Sequence, residues 1–361
     1  GETLKMLGFN LNFAPVVDLN LNENQGIIGK LGRSFSADPK RVAHIARQFV
    51  DVFSKQGISC CYKHFPGHGD TNVDSHHGLP VIHHDLEHLN AIELKPFKAA
   101  IDAGVMGIMT AHIVVPALDD SGVPATVSRK IITDLLRNEL GFKGLITTDG
   151  MGMEGITNLY EAGEAAVRAL QAGVDIILAA NVCRGKFNDN WADPIGRTID
   201  AIEQALKDGR LDMQEFNQKV MRVLRLKEWA FNQMKKNAHS ETELLAEAQN
   251  IKREIYTHAV TLAQNKLSHP NQANITMEIR GMNKFRAQQF GISNATLEQI
   301  KRNHAAGKTQ TVVVYGSAYA VEMLKDYAEC IIVAYEDDPV ATQVVEQILK
   351  NEIQVEGIMP V

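Results

Sequence analysis

Two parts of the sequence carry side chains whose types and spacing suit acid–base or nucleophilic chemistry. The denser part runs from Lys63-His64 to Asp74-Ser75-His76, and residues 64–84 contain six of the 13 histidines of the chain. Because one residue separates Asp74 from His76, both side chains face the same way in an extended segment. A carboxylate bonded to one imidazole nitrogen fixes the tautomer, and the other nitrogen then exchanges a proton with substrate. The pair therefore predicts a general acid/base.

The same stretch contains residue types that bind zinc or iron, which keeps a metal site open as an alternative. Pro66 and the nearby glycines exclude a helix, so the spacing matches no standard helical metal motif. A third possibility is that the histidines only occupy a polar loop, which we favour least for Asp74 and His76. The candidate metal ligands are His64, His68, Asp70, Asp74 and His76.

Asp149 is the candidate nucleophile. It follows the apolar stretch Gly144–Thr148 and precedes Gly150-Met151-Gly152-Met153, so it stands at the carboxyl end of a predicted strand. A carboxylate in that position can attack an anomeric carbon and form a covalent glycosyl–enzyme intermediate. Aspartate also caps helix N-termini, and position alone does not separate the two roles.

Four further polar residues lie near predicted strand ends. Arg33 either binds sugar hydroxyls or a carboxylate, or is a surface charge. Asp18 either contacts substrate or ties down loop amides, and we favour the second role. His112 is expected to be a packed residue, and Glu154 receives no role.

Residues 1–236 alternate short apolar runs with longer amphipathic stretches, the pattern of a parallel α/β sheet. Polar residues follow four separate strands, as expected at the carboxyl-end face of a (β/α)8 barrel of the TIM type. The predicted strands cover Asn10–Val17, Ile58–Tyr62, Val105–Thr110, Gly144–Thr148 and Val174–Leu178. The predicted helices cover Pro39–Gln56, Leu89–Ala103, Ser128–Leu140, Glu161–Ala172, Pro194–Lys207 and Asp212–Lys235.

Five predicted strands are fewer than the eight of a closed barrel. The chain opens on the helix-like Glu2–Leu7 directly before a strand, so we expect that the N-terminal strands are missing from this chain. Residues 237–361 predict linker helices and a partial, smaller α/β domain. Its predicted elements are the helices Glu241–Asn250 and Glu254–Gln264 and the strands Thr309–Tyr315 and Cys330–Tyr335, with residues 265–285 as a connection.

The composition argues against several kinds of partner. A net charge of −6 and a pI near 6.1 give no basic surface for nucleic acid or an anionic membrane. No apolar run reaches the roughly 18–20 residues of a membrane-spanning helix. The four cysteines match no zinc or redox spacing, and we expect free thiols at Cys60, Cys61, Cys183 and Cys330.

Together these residues resemble the β-N-acetylglucosaminidase branch of glycoside hydrolase family 3. The resemblance extends over about residues 1–236 and is specific, because several motifs occur in the family's order. It is weaker for the second domain, which is similar to the family's sandwich-like α/β domain. The motifs are Asn12–Asp18, Arg33-Ser34-Phe35, Lys63–Thr71, Asp74-Ser75-His76 and Thr148-Asp149 with Met151 and Met153.

The resemblance implies a role for each site residue. Asp149 is the nucleophile, and His76 is the general acid/base, oriented by Asp74. Residues implied or expected to bind the N-acetylglucosamine unit are Arg33, Lys63, His64 and Asp18. No cofactor and no metal ion are implied, and the partner is a carbohydrate substrate.

The resulting expectation is a retaining β-N-acetylhexosaminidase that acts on terminal β-linked N-acetylglucosamine, with muropeptide fragments of peptidoglycan as the favoured substrate. The alternatives are an N-acetylglucosaminide phosphorylase, a β-glucosidase or xylosidase of the same family, and a non-catalytic sugar-binding protein. The compartment stays open, since the resemblance favours an extracytoplasmic or lipid-anchored bacterial enzyme and the free cysteines favour the opposite. The family's Asp-Gln-Glu-Gly-Gly element is absent before Asn10, and strands that the family carries between about residues 265 and 305 are not predicted.

Overall fold

A computed structural model of the chain describes residues 1–21, 28–29, 31–71, 78–179, 193–234, 241–281 and 286–359. The chain divides into two compact units, and each is described by itself. The first unit comprises Gly1–Gly29 and Arg33–Ala238. The second unit comprises Lys30–Gly32 and His239–Val361.

The first unit contains a four-stranded parallel sheet, which confirms the predicted α/β class. Its strands pair in the order β1-β2-β3-β4, with Leu11 opposite Ser59 and Gly107 opposite both Cys61 and Leu145. Within the described residues the sheet is open, so they do not form a closed eight-stranded barrel. The strands are β1 (Leu11–Asn12), β2 (Ser59–Phe65), β3 (Gly107–Thr110) and β4 (Leu145–Thr147).

Two of the predicted strands are shorter than expected. In the stretch Asn10–Val17 only β1 forms a ladder, and Val16 adds an isolated bridge to Lys63. Pro15 lies between them and has no N–H to donate, which explains the interruption. The predicted strand Val174–Leu178 runs beside β4 through backbone hydrogen bonds of Asp175 and Ile176, but only Ile176 forms a bridge, to Thr147.

The helices of the first unit follow the predicted pattern with one break. The predicted helix Leu89–Ala103 is two helices, because the backbone at Ile92 leaves the helical region and Pro96 opens the second helix. Glu93 lies in this break. The helices are α1 (Glu2–Met6), α2 (Pro39–Lys55), α3 (Leu86–Ala91), α4 (Lys95–Asp102), a π-helix (Lys130–Glu139), α5 (Glu154–Thr157), α6 (Ala162–Ala172), α7 (Asp193–Lys207) and α8 (Met213–Met234).

The largest hydrophobic cluster of the first unit packs α2, α4 and the π-helix against the sheet. The rings of Phe65 on β2 and Phe97 on α4 meet edge to face at 5.2 Å, and both are fully buried. Every residue of β2 is buried except the half-buried Lys63, as expected for a parallel strand covered on both faces. The core therefore fixes the strand that presents Lys63 and His64.

The second unit contains a four-stranded mixed sheet in the order β5-β8-β7-β6, with β5 antiparallel to β8 and the other pairs parallel. Its strands are β5 (Thr261–Asn265), β6 (Ile275–Ile279), β7 (Gln310–Val314) and β8 (Cys330–Val333). Its helices are α9 (Glu241–Ala259), α10 (Asn294–Ala305), α11 (Val321–Leu324) and α12 (Pro339–Leu349). The predicted strands Thr309–Tyr315 and Cys330–Tyr335 are thus confirmed.

Two predictions for this unit were wrong. The predicted helices Glu241–Asn250 and Glu254–Gln264 are one helix that ends at Ala259, and β5 follows. Residues 265–285 are not only a connection, because β6 lies among them and pairs along its whole length with β7. The alternating exposure along β6 is the period-two pattern of a strand, which the sequence analysis missed.

Two further expectations concern cysteines and membranes. Cys60, Cys61 and Cys330 are free and buried, as expected, and Cys183 lies outside the described residues. Burial raises the pKa of the Cys60 and Cys61 thiols to about 12. In the described part of the chain, no helix has the length and apolar character needed to cross a membrane.

Candidate active site

The predicted site residues of the first unit gather where the parallel strands end. His64 lies near the end of β2, His112 follows β3 by two residues, and Asp149 follows β4 by two residues. Asp18 follows Val17, whose N–H donates to the carbonyl oxygen of Lys63. Since the carboxyl ends of parallel strands meet at one edge, the fold brings these separate residues together.

Asp18 anchors the loop that follows β2. Its Oδ1 accepts hydrogen bonds from the backbone N–H groups of His64 (3.1 Å) and His68 (2.8 Å). Its Oδ2 lies 2.6 Å from Nδ1 of His64. Burial alone would raise the pKa of this carboxyl, but the charge of His64 and these hydrogen bonds outweigh it and lower the pKa. Asp18 is therefore an ionised anchor.

This arrangement corrects the expectation that Asp18 contacts substrate. Its side chain is fully buried, and both of its carboxylate oxygens bond to the loop. Its ionised carboxylate accepts the proton on Nδ1 of His64. Asp18 is thus a positioning residue, the alternative that we favoured from the sequence, and it leaves Nε2 of His64 to face the site.

His64 and Asp149 form the centre of the site. Nε2 of His64 lies 3.6 Å from Oδ2 of Asp149, whose side chain is 23% exposed. Oδ1 of Asp149 accepts a hydrogen bond of 2.7 Å from the backbone N–H of Gly150. Burial raises the pKa of Asp149, but the charges of His64 and His112, the Gly150 N–H and the charge of Lys63 lower it more. The site therefore holds an ionised carboxylate that solvent can reach.

Lys63 adds positive charge beside this carboxylate, and Arg33 lies near Lys63. Burial lowers the pKa of Lys63, the carboxylate of Asp149 opposes that effect, and the guanidinium of Arg33 adds to it. The element that carries Arg33 is fixed because the neighbouring Ser34 donates a hydrogen bond from Oγ to the carbonyl oxygen of Asp18 (2.7 Å). Both cations are half-buried, so they can bind the hydroxyl or carbonyl oxygens of a ligand.

His112 is held on both sides, as expected for a packed residue. Its Nδ1 lies 2.8 Å from Oγ1 of Thr126, and its Nε2 donates to the carbonyl oxygen of Gly150 over 3.1 Å. Because Gly150 also donates to Asp149, His112 supports the turn that presents the carboxylate. The sequence analysis did not assign this supporting role, although the position of His112 after β3 was a signal for it.

The remaining predicted residues lie outside the described part of the chain. Asp74 and His76 belong to residues 72–77. The described residues resume at Gly78, and a Cβ atom on Gly155 would lie 3.0 Å from the Gly78 carbonyl oxygen. Gly155 lies in α5, the helix that follows the Asp149 turn. The chain therefore resumes beside the helix that follows the Asp149 turn.

The metal alternative from the sequence includes Asp74 and His76, which lie outside the described residues, so it stays a prediction. His64 and His68 use one ring nitrogen each for Asp18 and Thr71, respectively. Burial lowers the pKa of His68 to about 4, so it is neutral. The described residues do contain one group of metal-ligand side chains, at a different place: His84, His88 and Glu93.

Comparison with known proteins assigns the chain to one family. The family described as glycosyl hydrolase family 3 N terminal domain matches residues 1–226. The β-hexosaminidase A of Pseudoalteromonas piscicida is 39% identical over 238 residues, covering 63% of this chain and 39% of that protein. The β-hexosaminidase of Tolumonas auensis is 41% identical over 173 residues, covering 48% of this chain and 50% of that protein. The chain thus spans half or less of these relatives' length.

Solved structures extend the similarity to both units. A glycoside hydrolase family 3 β-N-acetylglucosaminidase from Paenibacillus sp. matches with a TM-score of 0.80 and 26% identity, covering 100% of this chain and 77% of that one. A β-glucoside phosphorylase matches with a TM-score of 0.78 at 18% identity, covering 99% and 75%. At 18% identity, the similarity to the phosphorylase shows only a shared fold.

Proposed function

The chain belongs to glycoside hydrolase family 3, and from this premise we propose that it is a retaining glycosidase that removes terminal β-linked N-acetylglucosamine. The observation that carries the proposal is Asp149, an ionised carboxylate that is partly open to solvent and lies beside the charge of Lys63. Ionisation is what a carboxylate nucleophile requires. The relatives named β-hexosaminidase support the choice of an N-acetylated sugar.

The proposed reaction has two steps. Asp149 attacks the anomeric carbon while His76, oriented by Asp74, gives its proton to the oxygen of the breaking glycosidic bond. The sugar is then bound to Asp149 as an ester. The neutral His76 next takes a proton from water, whose oxygen attacks the anomeric carbon and releases the Asp149 carboxylate. Two inversions give net retention.

The neighbours of Asp149 have separate roles in this proposal. Lys63, His64 and Arg33 bind hydroxyl and acetamide oxygens of the sugar, because all three side chains carry hydrogen-bond donors. Asp18 sets the orientation of His64 and does not touch the sugar. In the whole protein, the parallel sheet belongs to a (β/α)8 barrel, and the favoured substrate is a muropeptide fragment of peptidoglycan.

The experiment that tests the proposal uses an aryl β-N-acetylglucosaminide and measures phenol release. Asp149→Asn is expected to lower kcat at least about 1,000-fold, equivalent to about 4 kcal/mol of activation free energy. Asp51→Asn, an exposed aspartate of α2 that pairs with Arg47, is the matched control and retains activity. Full activity in Asp149→Asn would exclude the nucleophile. No phenol release by the folded wild-type chain would reject the hydrolase and favour a sugar-binding protein.

Phosphorolysis is a second candidate, because Lys63 places positive charge beside Asp149 and Arg33 adds positive charge near Lys63, which favours an attacking phosphate. An imidazole acid/base does not repel that anion as a carboxylate would. Product analysis with and without inorganic phosphate separates the two reactions. A sugar 1-phosphate that forms only with phosphate supports the phosphorylase, and free N-acetylglucosamine in both cases supports the hydrolase.

A further inference from the structure

A basic cavity lies in the first unit between the π-helix and α8, at the edge of the sheet where β4 begins. Its volume is about 280 Å³. Phe142, Lys143 and Gly144 line it and directly precede β4, whereas Asp149 follows that strand. The cavity and the candidate active site therefore lie at opposite edges of the sheet. The charged residues of the lining are Arg129, Arg137, Lys143, Glu215, Lys219 and Arg222.

Lys219 of α8 is the unusual member of this lining. The residue is 5% exposed, and with the described residues it forms neither a hydrogen bond nor an ion pair. Burial lowers the pKa of Lys219 to about 8, the carboxylate of Asp175 opposes that effect, and the guanidinium of Arg222 adds to it. A buried cation without a bonded partner is unfavourable. Its position in the wall of a cavity therefore indicates that an anion binds there.

The anions near Lys219 already have partners. The buried carboxylate of Asp175 pairs with Arg137 and accepts a hydrogen bond of 2.9 Å from Nε of Arg222. Glu215 pairs with Arg129 at 3.3 Å. The lining residues and Asp175 together provide five cations and two anions, so the site keeps an excess of three positive charges. Since the whole chain carries a net charge of −6, this excess is local.

The unused donors of the lining suit a phosphate group. Arg222 uses its Nε for Asp175, and its two terminal amino groups form no hydrogen bond with the described residues. Lys219 adds an ammonium group with three donors. Guanidinium and ammonium groups bind phosphate through charge-assisted hydrogen bonds, and a phosphate monoester carries about −1.5 to −2 charges at pH 7. We propose that Lys219 and Arg222 bind one phosphate group in this cavity, either as the free ion or as a small monoester.

The bound phosphate is expected to stabilise the fold and to take no part in hydrolysis. It would connect α8 to the start of β4, where Arg137 of the π-helix already donates to the carbonyl oxygen of Gly144. A ligand that binds only the folded chain raises its stability by mass action. The cavity shares no residue with the candidate active site, so this inference does not rest on the proposed glycosidase activity.

Phosphate binding is tested by calorimetric titration of the full chain with inorganic phosphate, at an ionic strength held constant with sodium chloride. We expect one saturable site per chain, with affinity at least about tenfold weaker in Lys219→Met, which loses a hydrogen bond between charged groups. Lys227→Met is the matched control, because Lys227 is an exposed lysine of the same helix outside the cavity, and it binds as the wild type does.

A second titration, with glycerol 3-phosphate, distinguishes the two sources of the phosphate group. Tighter binding than that of inorganic phosphate identifies a monoester as the ligand, and equal or weaker binding identifies the free ion. Sodium acetate provides the comparison for charge. Because acetate carries a single negative charge, we expect it to bind at least about tenfold more weakly than phosphate.

Thermal unfolding separates ligand binding from a purely structural role of Lys219. Lys219→Met removes a buried charge while Asp175 keeps both of its arginines, so without phosphate its Tm is expected to be at least that of the wild type. Phosphate is expected to raise the Tm of the wild type and to leave that of Lys219→Met unchanged. Wild-type aryl glycoside kinetics are expected in this variant.

Glu215→Gln gives a test in the opposite direction. It removes an anion from the lining and releases Arg129, so the affinity for phosphate is expected to increase by about two- to fivefold. If Lys219→Met does not fold, Glu215→Gln gives the answer, since unchanged or weaker binding there contradicts the site. Absence of saturable phosphate binding in the wild type, or wild-type affinity in Lys219→Met, would overturn the proposal whatever the glycosidase assay shows.

Discussion

Nδ1 of His64 lies 2.6 Å from Oδ2 of the fully buried Asp18, and this contact sets the direction in which the imidazole acts. Because Asp18 accepts the proton on Nδ1, the opposite nitrogen faces Asp149 at 3.6 Å. The same carboxylate holds the backbone N–H groups of His64 and His68. The buried carboxylate of Asp18 thus orients the His64 ring and holds the loop that carries His68.

Asp18→Asn is expected to impair both stability and activity. The variant keeps the shape of the side chain but leaves His64 without its charged acceptor. Breaking a buried charged pair costs roughly 3–5 kcal/mol of unfolding free energy, and the isosteric change falls at the low end, about 3 kcal/mol. Aryl glycoside kcat/KM is expected to fall at least about 100-fold, or about 2.7 kcal/mol. Urea unfolding and steady-state kinetics measure the two effects.

The control for this experiment is Asp51→Asn, which removes an exposed carboxylate from an i,i+4 pair with Arg47. Exposed pairs of this kind contribute about 0.3–0.5 kcal/mol, so neither measurement is expected to change much. If Asp18→Asn lost stability but kept wild-type kcat/KM, the orienting role of Asp18 would be wrong and its role would be structural alone.

The centre of the site could be predicted from the sequence, because the carboxyl ends of parallel strands lie at one edge of the sheet. Polar residues that follow buried strands therefore lie close together. Lys63, His64 and Asp149 were found in that way. Position after a strand did not separate substrate contact from support at Asp18, since that depends on burial and on which backbone N–H groups lie nearby. The cluster of Glu93 with His84 and His88 was missed for a similar reason. A break between two helices places Glu93, and helical periodicity had predicted one continuous helix there.

The errors in the fold also have physical causes. The stretch Val174–Leu178 has the composition of a buried strand, but it pairs with β4 at a single bridge. Propensity does not reveal how far a neighbouring strand extends. In the second unit, β5 directly follows the helix that ends at Ala259, and its register comes from the antiparallel partner β8. The paired residues of β5 and β8 are 65 or more positions apart, so a local sequence pattern cannot predict their pairing.

Stability is expected to depend on pH through His68. Burial lowers the pKa of this imidazole from 6.5 to about 4 in the folded state. The unfolded chain therefore binds the proton more readily between these two values. The stabilising contribution is fully present above pH 6.5 and is lost as the pH falls toward 4, by up to about 1.4 kcal/mol per pH unit. Urea unfolding from pH 7 to pH 4 measures this slope.

The comparison variants for that slope are His68→Asn and His44→Asn. His68→Asn removes the titrating group and keeps a polar side chain beside Thr71, so the slope between pH 6.5 and 4 is expected to decrease. His44 is exposed on α2, and its replacement should leave the slope unchanged. Equal slopes in the wild type and His68→Asn would show that His68 is not the group responsible.

Asp175 is expected to stabilise β4 through a hydrogen bond to its backbone and two ion pairs. Its side chain is fully buried, pairs with Arg137 and Arg222, and accepts a hydrogen bond from the backbone N–H of Ile146. Asp175→Asn leaves two guanidinium groups without their anion, so we expect a loss of about 3 kcal/mol of unfolding free energy. Asp134→Asn is a neutral reference, because the exposed Asp134 lies on the same π-helix as Arg137 and forms no ion pair with another described residue. An Asp175→Asn variant with unchanged urea midpoint would contradict this role.

Gly69→Ala is expected to disturb the loop that Asp18 anchors. A Cβ atom on Gly69 would lie 2.3 Å from the carbonyl oxygen of Leu19, a backbone atom that cannot move aside cheaply. The loop must shift, and with it the His68 N–H that donates to Asp18. We expect a loss of about 1–3 kcal/mol of unfolding free energy and lower kcat/KM for the aryl glycoside.

Gly196→Ala is the matched substitution for this test. Gly196 lies in α7, and a Cβ atom there meets nothing within 4 Å. Alanine in a helix is favoured over glycine, so Gly196→Ala should gain about 0.5–1 kcal/mol and keep wild-type kinetics. The contrast isolates the close approach of Gly69 to Leu19 from any general effect of adding a methyl group. Wild-type stability and activity in Gly69→Ala would mean that the loop adapts, and Asp18 would then hold it less tightly than its hydrogen bonds indicate.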